Sequence, residues 1–173
     1  ISQIRGASLI EVHNSHPQNN MYGAPGKPSD EEIWDKVLSS GRVLFGTATD
    51  DSHNYHDWLP SMSNPGRGWV MVPAKDLSVP SIMECLTIGD FYFSTGVTLV
   101  THVTTENEIN IEIEQESDFI YKTIFSGLNG DLLSQSVGTS AHYKIAGNET
   151  YVRATIYSSS GGKAWTQPVF VKN

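Results

Sequence analysis

The heptapeptide Glu108-Ile109-Asn110-Ile111-Glu112-Ile113-Glu114 alternates polar and apolar residues without a break. A strand puts successive side chains on opposite faces, so this run can only be a strand with one wet face and one buried face. It demands a second apolar surface to close over Ile109, Ile111 and Ile113. Further strand candidates lie at Phe119 to Phe125, Ala141 to Ile145, Thr150 to Tyr157 and Ala164 to Val171. Gly127-Leu128-Asn129-Gly130 and Ser160-Gly161-Gly162 supply turns between them. Strands in series without a helix predict a small antiparallel β-sandwich over residues 99 to 173. Its carboxylates Glu108, Glu112 and Glu114 read as a solvated strand face.

Upstream of residue 98 the hydrophobic period is different, and strand and helix signals alternate. Residues 7 to 13 read as a strand. Ser29-Asp30-Glu31-Glu32 is a capping box for a helix carrying Ile33, Trp34, Val37 and Leu38, stopped by Gly41. Strands at 42 to 47 and 69 to 72 flank a long loop, His53 to Gly68, with Pro60 and Pro65 inside it. Loops of that length in a compact domain are commonly functional. A second helix is expected from Val79 to Thr87, closed by Gly89, with Cys85 in its apolar row as a core residue. That cysteine is the only one, so the chain forms no internal disulfide.

The candidate chemistry lies in Thr47-Ala48-Thr49-Asp50-Asp51-Ser52-His53. A carboxylate and an imidazole two residues apart, just past an apolar strand, are candidate ligands for Zn, Mn or Fe. His13 with His16 and His53 with His56 add two His-x-x-His spacings.

The run Ile10-Glu11-Val12-His13-Asn14-Ser15-His16-Pro17, then Ile33-Trp34-Asp35 with Leu38 and Gly41, then Asp50-Asp51-Ser52-His53, resembles the C-terminal part of a polymerase and histidinol phosphatase (PHP) domain. Gly68-Trp69-Val70-Met71-Val72 and Gly89-Asp90-Phe91-Tyr92-Phe93-Ser94-Thr95-Gly96 continue the likeness. Tyr151-Val152-Arg153-Ala154 with Ala164-Trp165-Thr166-Gln167-Pro168 is similar to the small β module that trails the barrel in one branch. The resemblance implies an α/β fold: the C-terminal portion of a distorted, TIM-like barrel over residues 1 to 98, then the β-sandwich. It implies hydrolysis of phosphate esters with divalent metal ions, and it carries Asp51 and His53 over as ligands. Glu11, Asn14, His16, Asp50 and Arg67 are then candidates for orienting those ligands or binding the substrate. His16 has an alternative role in bonding the loop before Pro17, Asp50 in holding a turn, and Arg67 as a plain loop cation.

The family's opening His-x-His has no counterpart here, so the metal site is expected to be incomplete and the chain alone inactive. The partners expected are a phosphorylated small molecule and a cover for the open barrel edge, either a missing N-terminal half, a swapped segment or a second copy. A formal charge of -8 with scattered basic residues argues against a nucleic-acid partner. No apolar stretch approaches the roughly 20 residues of a membrane span. Two rival functions stand beside the phosphoesterase: a non-catalytic binding module that stacks Trp165, Tyr143 and Tyr151 on a glycan, and a metal-dependent hydrolase of another ester or amide.

Overall fold

A computed structural model describes residues 6–171 of the chain. The elements run β1 (Leu9–Asn14), α1 (Asp30–Ser39), β2 (Phe45–Thr49), β3 (Trp69–Met71), α2 (Val79–Ile88), β4 (Tyr92–Ser94), β5 (Leu99–Thr104) and β6 (Glu108–Ile113). They continue with β7 (Tyr121–Ser126), a 3₁₀ turn (Leu128–Gly130), β8 (Leu132–Val137), β9 (Ser140–Lys144), β10 (Tyr151–Ser158), β11 (Lys163–Trp165) and β12 (Val169–Phe170).

Alternation along β6 does what the sequence requires of it. Ile109, Ile111 and Ile113 are buried, and β6 lies between β5 and β9 in an antiparallel sheet. The surface that closes over them is a larger sheet of order β3-β4-β11-β10-β7-β8, with β12 also on β10. Tyr121, Phe125, Val152, Ala154, Ile156 and Ala164 come from that sheet to the shared core. Its other face carries Phe93, Tyr151 and Trp165 against Val12, Trp34, Leu38 and Ala48 of a third layer, built from α1 and the parallel pair β1–β2. Burial on both faces explains why β10 shows no alternation of exposure from Tyr151 to Ile156.

The expected barrel portion is corrected by this topology. Only β1 and β2 pair in parallel, every other pairing is antiparallel, and two α-helices stand beside twelve strands among the described residues. Among the described residues no strand lies parallel on the far side of β2 to continue a barrel wall, and its outer edge is occupied at Gly46 by a side chain. Gln167 Oε1 accepts from the Gly46 N–H (2.8 Å), and Gln167 Nε2 donates to the Gly46 carbonyl (2.9 Å). The strands at residues 69 to 71 and 92 to 94 instead join the antiparallel sheet across residue 98. Within α1 the capping box forms as expected: Ser29 Oγ accepts from the Glu32 N–H, and Glu32 accepts from the Ser29 N–H (2.7 Å).

Candidate functional site

The parallel strands β1 and β2 end side by side, with Asn14 opposite Thr49. The segments leaving the two strands therefore emerge on one rim. Ser15 N–H donates to the Thr49 carbonyl (2.9 Å) and ties the two exits together. Gly68 sits against this junction, where a Cβ would come within 2.8 Å of the Thr49 oxygen and 2.9 Å of Ser15 Oγ. Only glycine allows that approach.

Asp51 is left-handed, with φ of 47°. Asp is among the few non-glycine residues that tolerate this conformation. Asp50 and its neighbour then serve different partners. Asp50 accepts three backbone N–H bonds, from Gly66 (2.9 Å), Arg67 (2.6 Å) and Gly68 (2.8 Å), closing the loop behind it. Partial burial opposes its charge, but these bonds outweigh that and hold its pKa below the ordinary aspartate value. Asp51 instead takes Asn14 Nδ2 on Oδ2 (3.3 Å) and His53 Nε2 against Oδ1 (3.2 Å). Asn14, with the help of His53, lowers its pKa.

Asn14 is the hub of the rim, buried at 5 % exposure. Besides Asp51, its amide donates to Glu11 Oε2 (3.0 Å), and its Oδ1 accepts the His16 N–H (2.9 Å). Glu11 Oε1 accepts from Thr49 Oγ1 (2.5 Å). The His16 ring stands edge-on to His53, 5.7 Å between centroids. Glu11, Asn14, His16, Asp51 and His53 thus meet at one place. Asp50 and Arg67 do not join them. The Arg67 guanidinium is spent on its own loop, donating to the Leu59 carbonyl (2.9 Å), to Asn64 Oδ1 (3.1 Å) and to the Pro60 carbonyl (3.4 Å).

The expectation of a metal-binding domain is also corrected. Among the described residues, no three His, Cys, Asp or Glu side chains are grouped to hold an ion. Asp51 and His53 are two donors, and catalytic zinc normally takes three. The donors present therefore do not make a metal centre. The rings expected to stack on sugars are engaged elsewhere: Tyr151 and Trp165 are buried, and Tyr143 stacks on Phe125 (5.3 Å).

Sequence reasoning missed a second polar cluster. Arg153 on β10 donates from Nε and Nη2 to the two oxygens of Asp35 on α1 (2.7 and 2.6 Å), and Nη1 lies 3.0 Å from Glu31 and 2.7 Å from Thr155 Oγ1. Tyr151 donates its hydroxyl to Asp35 as well (2.8 Å). The signal was present as Glu31 and Asp35 one helical turn apart beside Trp34, and an arginine inside an otherwise buried strand. Compared with protein-family models, curated proteins and solved structures, the chain matches none.

Proposed function

We propose that the chain is part of a phosphate-ester hydrolase of the PHP kind that its sequence resembles, and that the rim of Glu11, Asn14, His16, Asp51 and His53 faces the substrate. The observation carrying this reading is the convergence of those five side chains at the ends of two parallel strands. Asp51 orients the imidazole of His53. With Nε2–H donating to the carboxylate, His53 Nδ1 is the acceptor that can take a proton from an attacking water. His16 Nδ1 accepts the Gln18 N–H (3.2 Å), which leaves Nε2–H as a donor toward a phosphoryl oxygen. No step passes through a metal ion, since the donors here do not make up its shell.

The reading includes incompleteness. Leu77 before α2, and Val79, Met83 and Ile88 on it, are 98, 75, 51 and 64 % exposed. Exposed apolar side chains of this size suit coverage by the rest of the enzyme or a second copy.

The test is phosphate release from a panel of monoesters by the natural polypeptide that contains this chain, with and without a chelator. Activity should fall at least about a hundredfold in His53→Gln, the scale of a lost general base, and this chain alone should release none. Activity equal to the parent's in both His53→Gln and Asp51→Asn, or no release from any ester by the natural polypeptide, would sink the reading.

A further inference from the structure

Away from the rim, one face of the long sheet is only partly covered by α1. Alternation puts Arg153, Thr155 and Tyr157 of β10 on that face, and strand pairing sets Ser126, Ile124 and Lys122 of β7 opposite them in that order. Opposed residues of such a pair hold their Cβ atoms roughly 5 Å apart. The helix stands over the β10 row, where Asp35 grips Arg153 (2.6 Å) and Glu31 Oε1 accepts from Thr155 Oγ1 (3.0 Å). The β7 row lies open beside it. Between helix and sheet is a cleft of about 590 Å³, lined by both rows, by Glu31 and Asp35, and by Gln135 of β8. That volume is in the range of small-ligand sites, about 300–1,000 Å³.

The cleft holds hydrogen-bonding groups that the fold leaves unused. Ser126 is 6 % exposed, and its hydroxyl, on the cleft face, has no partner among the described residues. Buried hydroxyls are normally bonded, so this one calls for a molecule that enters the cleft. The Tyr157 hydroxyl and the Gln135 amide are likewise without partners among the described residues. Glu31 spends Oε1 on Arg153 (3.0 Å) and Thr155, and its Oε2 is free to accept.

Charge then selects the class of ligand. Glu31, Glu32 and Asp35 line the cleft against Lys122 and Arg153, and Lys163 adds a third cation 5.1 Å from the Tyr157 ring centroid. Glu32 is bound to Ser29 (2.7 Å) and Asp35 to Arg153. Three charges of each sign favour neither an anion nor a cation. A carboxylate oxygen accepts, an amide does both, and hydroxyls do both, so a ligand rich in hydroxyl groups answers every free group here. Ile124 and Leu132 add apolar surface for its C–H faces.

We propose that this cleft binds a neutral saccharide, with Ser126 Oγ, Glu31 Oε2 and the Gln135 amide as its hydrogen-bonding groups. The site shares no residue with the rim and does not rest on the phosphate-ester reading.

Glucose, galactose, mannose, maltose, cellobiose and lactose are titrated in turn into the isotope-labelled chain, and the backbone amide resonances are followed. At least one sugar should shift the Ser126, Gln135 and Thr155 amides saturably. Affinity for it should fall about fivefold in Ser126→Ala and in Gln135→Ala, each the loss of one neutral hydrogen bond, and roughly tenfold or more in Ser126→Leu, whose side chain fills the cleft. Dispersion of the same spectra reports that each variant is folded, and Gln135→Ala, at an exposed position, carries the test if a serine variant does not fold. The double variant Asp51→Asn, His53→Asn should bind the sugar as the parent does. No saturable shift with any of the six sugars, saturation by putrescine or inorganic phosphate in their place, shifts confined to residues outside the cleft, or unchanged affinity in the folded variants would overturn the assignment. Sugar binding by the parent combined with no hydrolysis by the natural polypeptide would remove the hydrolase and leave this site standing.

Discussion

Asp35 and Arg153, at 4 and 2 % exposure, are buried charges whose only answer is each other and their close partners. Removing one member of such a pair leaves the other uncompensated, at a cost of about 3–5 kcal/mol. Asp35→Ala should lower the unfolding free energy by that amount in a denaturant titration, and Asp35→Leu combined with Arg153→Met should recover much of it. A loss under about 1 kcal/mol in the single variant would deny the pair its structural weight. A second pair, buried Glu149 and half-buried Tyr143, makes stability depend on pH. Glu149 accepts the Tyr143 hydroxyl (2.6 Å) and the N–H groups of Ala146 and Gly147 (2.8 Å each). Burial opposes the carboxylate charge, but these bonds prevail and hold its pKa at about 2, against 4.5 ordinarily. Burial and the same carboxylate push the Tyr143 hydroxyl up to about 12, against 10.0 ordinarily. Between pH 4.5 and 2 the unfolded chain binds the extra proton, so the contribution of Glu149 is full above pH 4.5 and is lost as pH falls toward 2. Tyr143 is the mirror case: its contribution is full below pH 10.0 and is lost as pH rises through 12. Glu149→Gln should flatten the acid limb of a stability against pH curve, and an unaltered limb would show that other carboxylates govern it.

At the scale of elements, β2 is held from both sides by things a strand pattern does not contain. A Cβ on Gly46 would meet Phe93 at 2.7 Å and Trp34 at 3.0 Å, so Gly46→Ala must displace two aromatic rings of the core. Overpacking of this kind costs about 1–3 kcal/mol. Gln167→Ala would leave the Gly46 N–H and carbonyl without partners, a loss of about 1–3 kcal/mol for each group left buried. Hydrogen exchange at the Gly46 amide checks the second change: it should become one of the most accelerated sites in β2. Protection equal to that of the parent would mean that the glutamine amide does not cap this edge.

For the whole molecule, the sheet that runs from β3 to β8 is the common wall of two cores. β11 pairs with β4, and β4 with β3, so a fragment beginning at residue 99 loses two strands of that wall together with α1 and the β1–β2 pair. It would expose Tyr151 and Trp165 and strand Arg153 without Asp35. Such a fragment is expected to give a poorly dispersed amide spectrum. A well-dispersed one would show that the sandwich is stable by itself.

What local sequence determined is what local physics can determine. The alternation of β6 placed Ile109, Ile111 and Ile113 on the buried face, Ser29 and Glu32 marked the start of α1, and Gly89, left-handed at φ of 79°, ended α2. The meeting of Asp51 with His53 was also readable, being two residues apart. Tertiary structure decided everything that depends on which strand lies beside which. The short runs Trp69–Met71 and Tyr92–Ser94 are too brief to announce their partners, and they entered an antiparallel sheet with β11 instead of extending the parallel pair. Gln167 was invisible as an edge cap because its amide meets Gly46 across 121 positions. Arg153 and Asp35 likewise meet across 118 positions, and only the docking of α1 on β10 makes a buried charge tolerable there. Spacing along the chain encodes caps, turns and faces, whereas a pairing between distant elements is settled by the burial and hydrogen bonding of both partners at once.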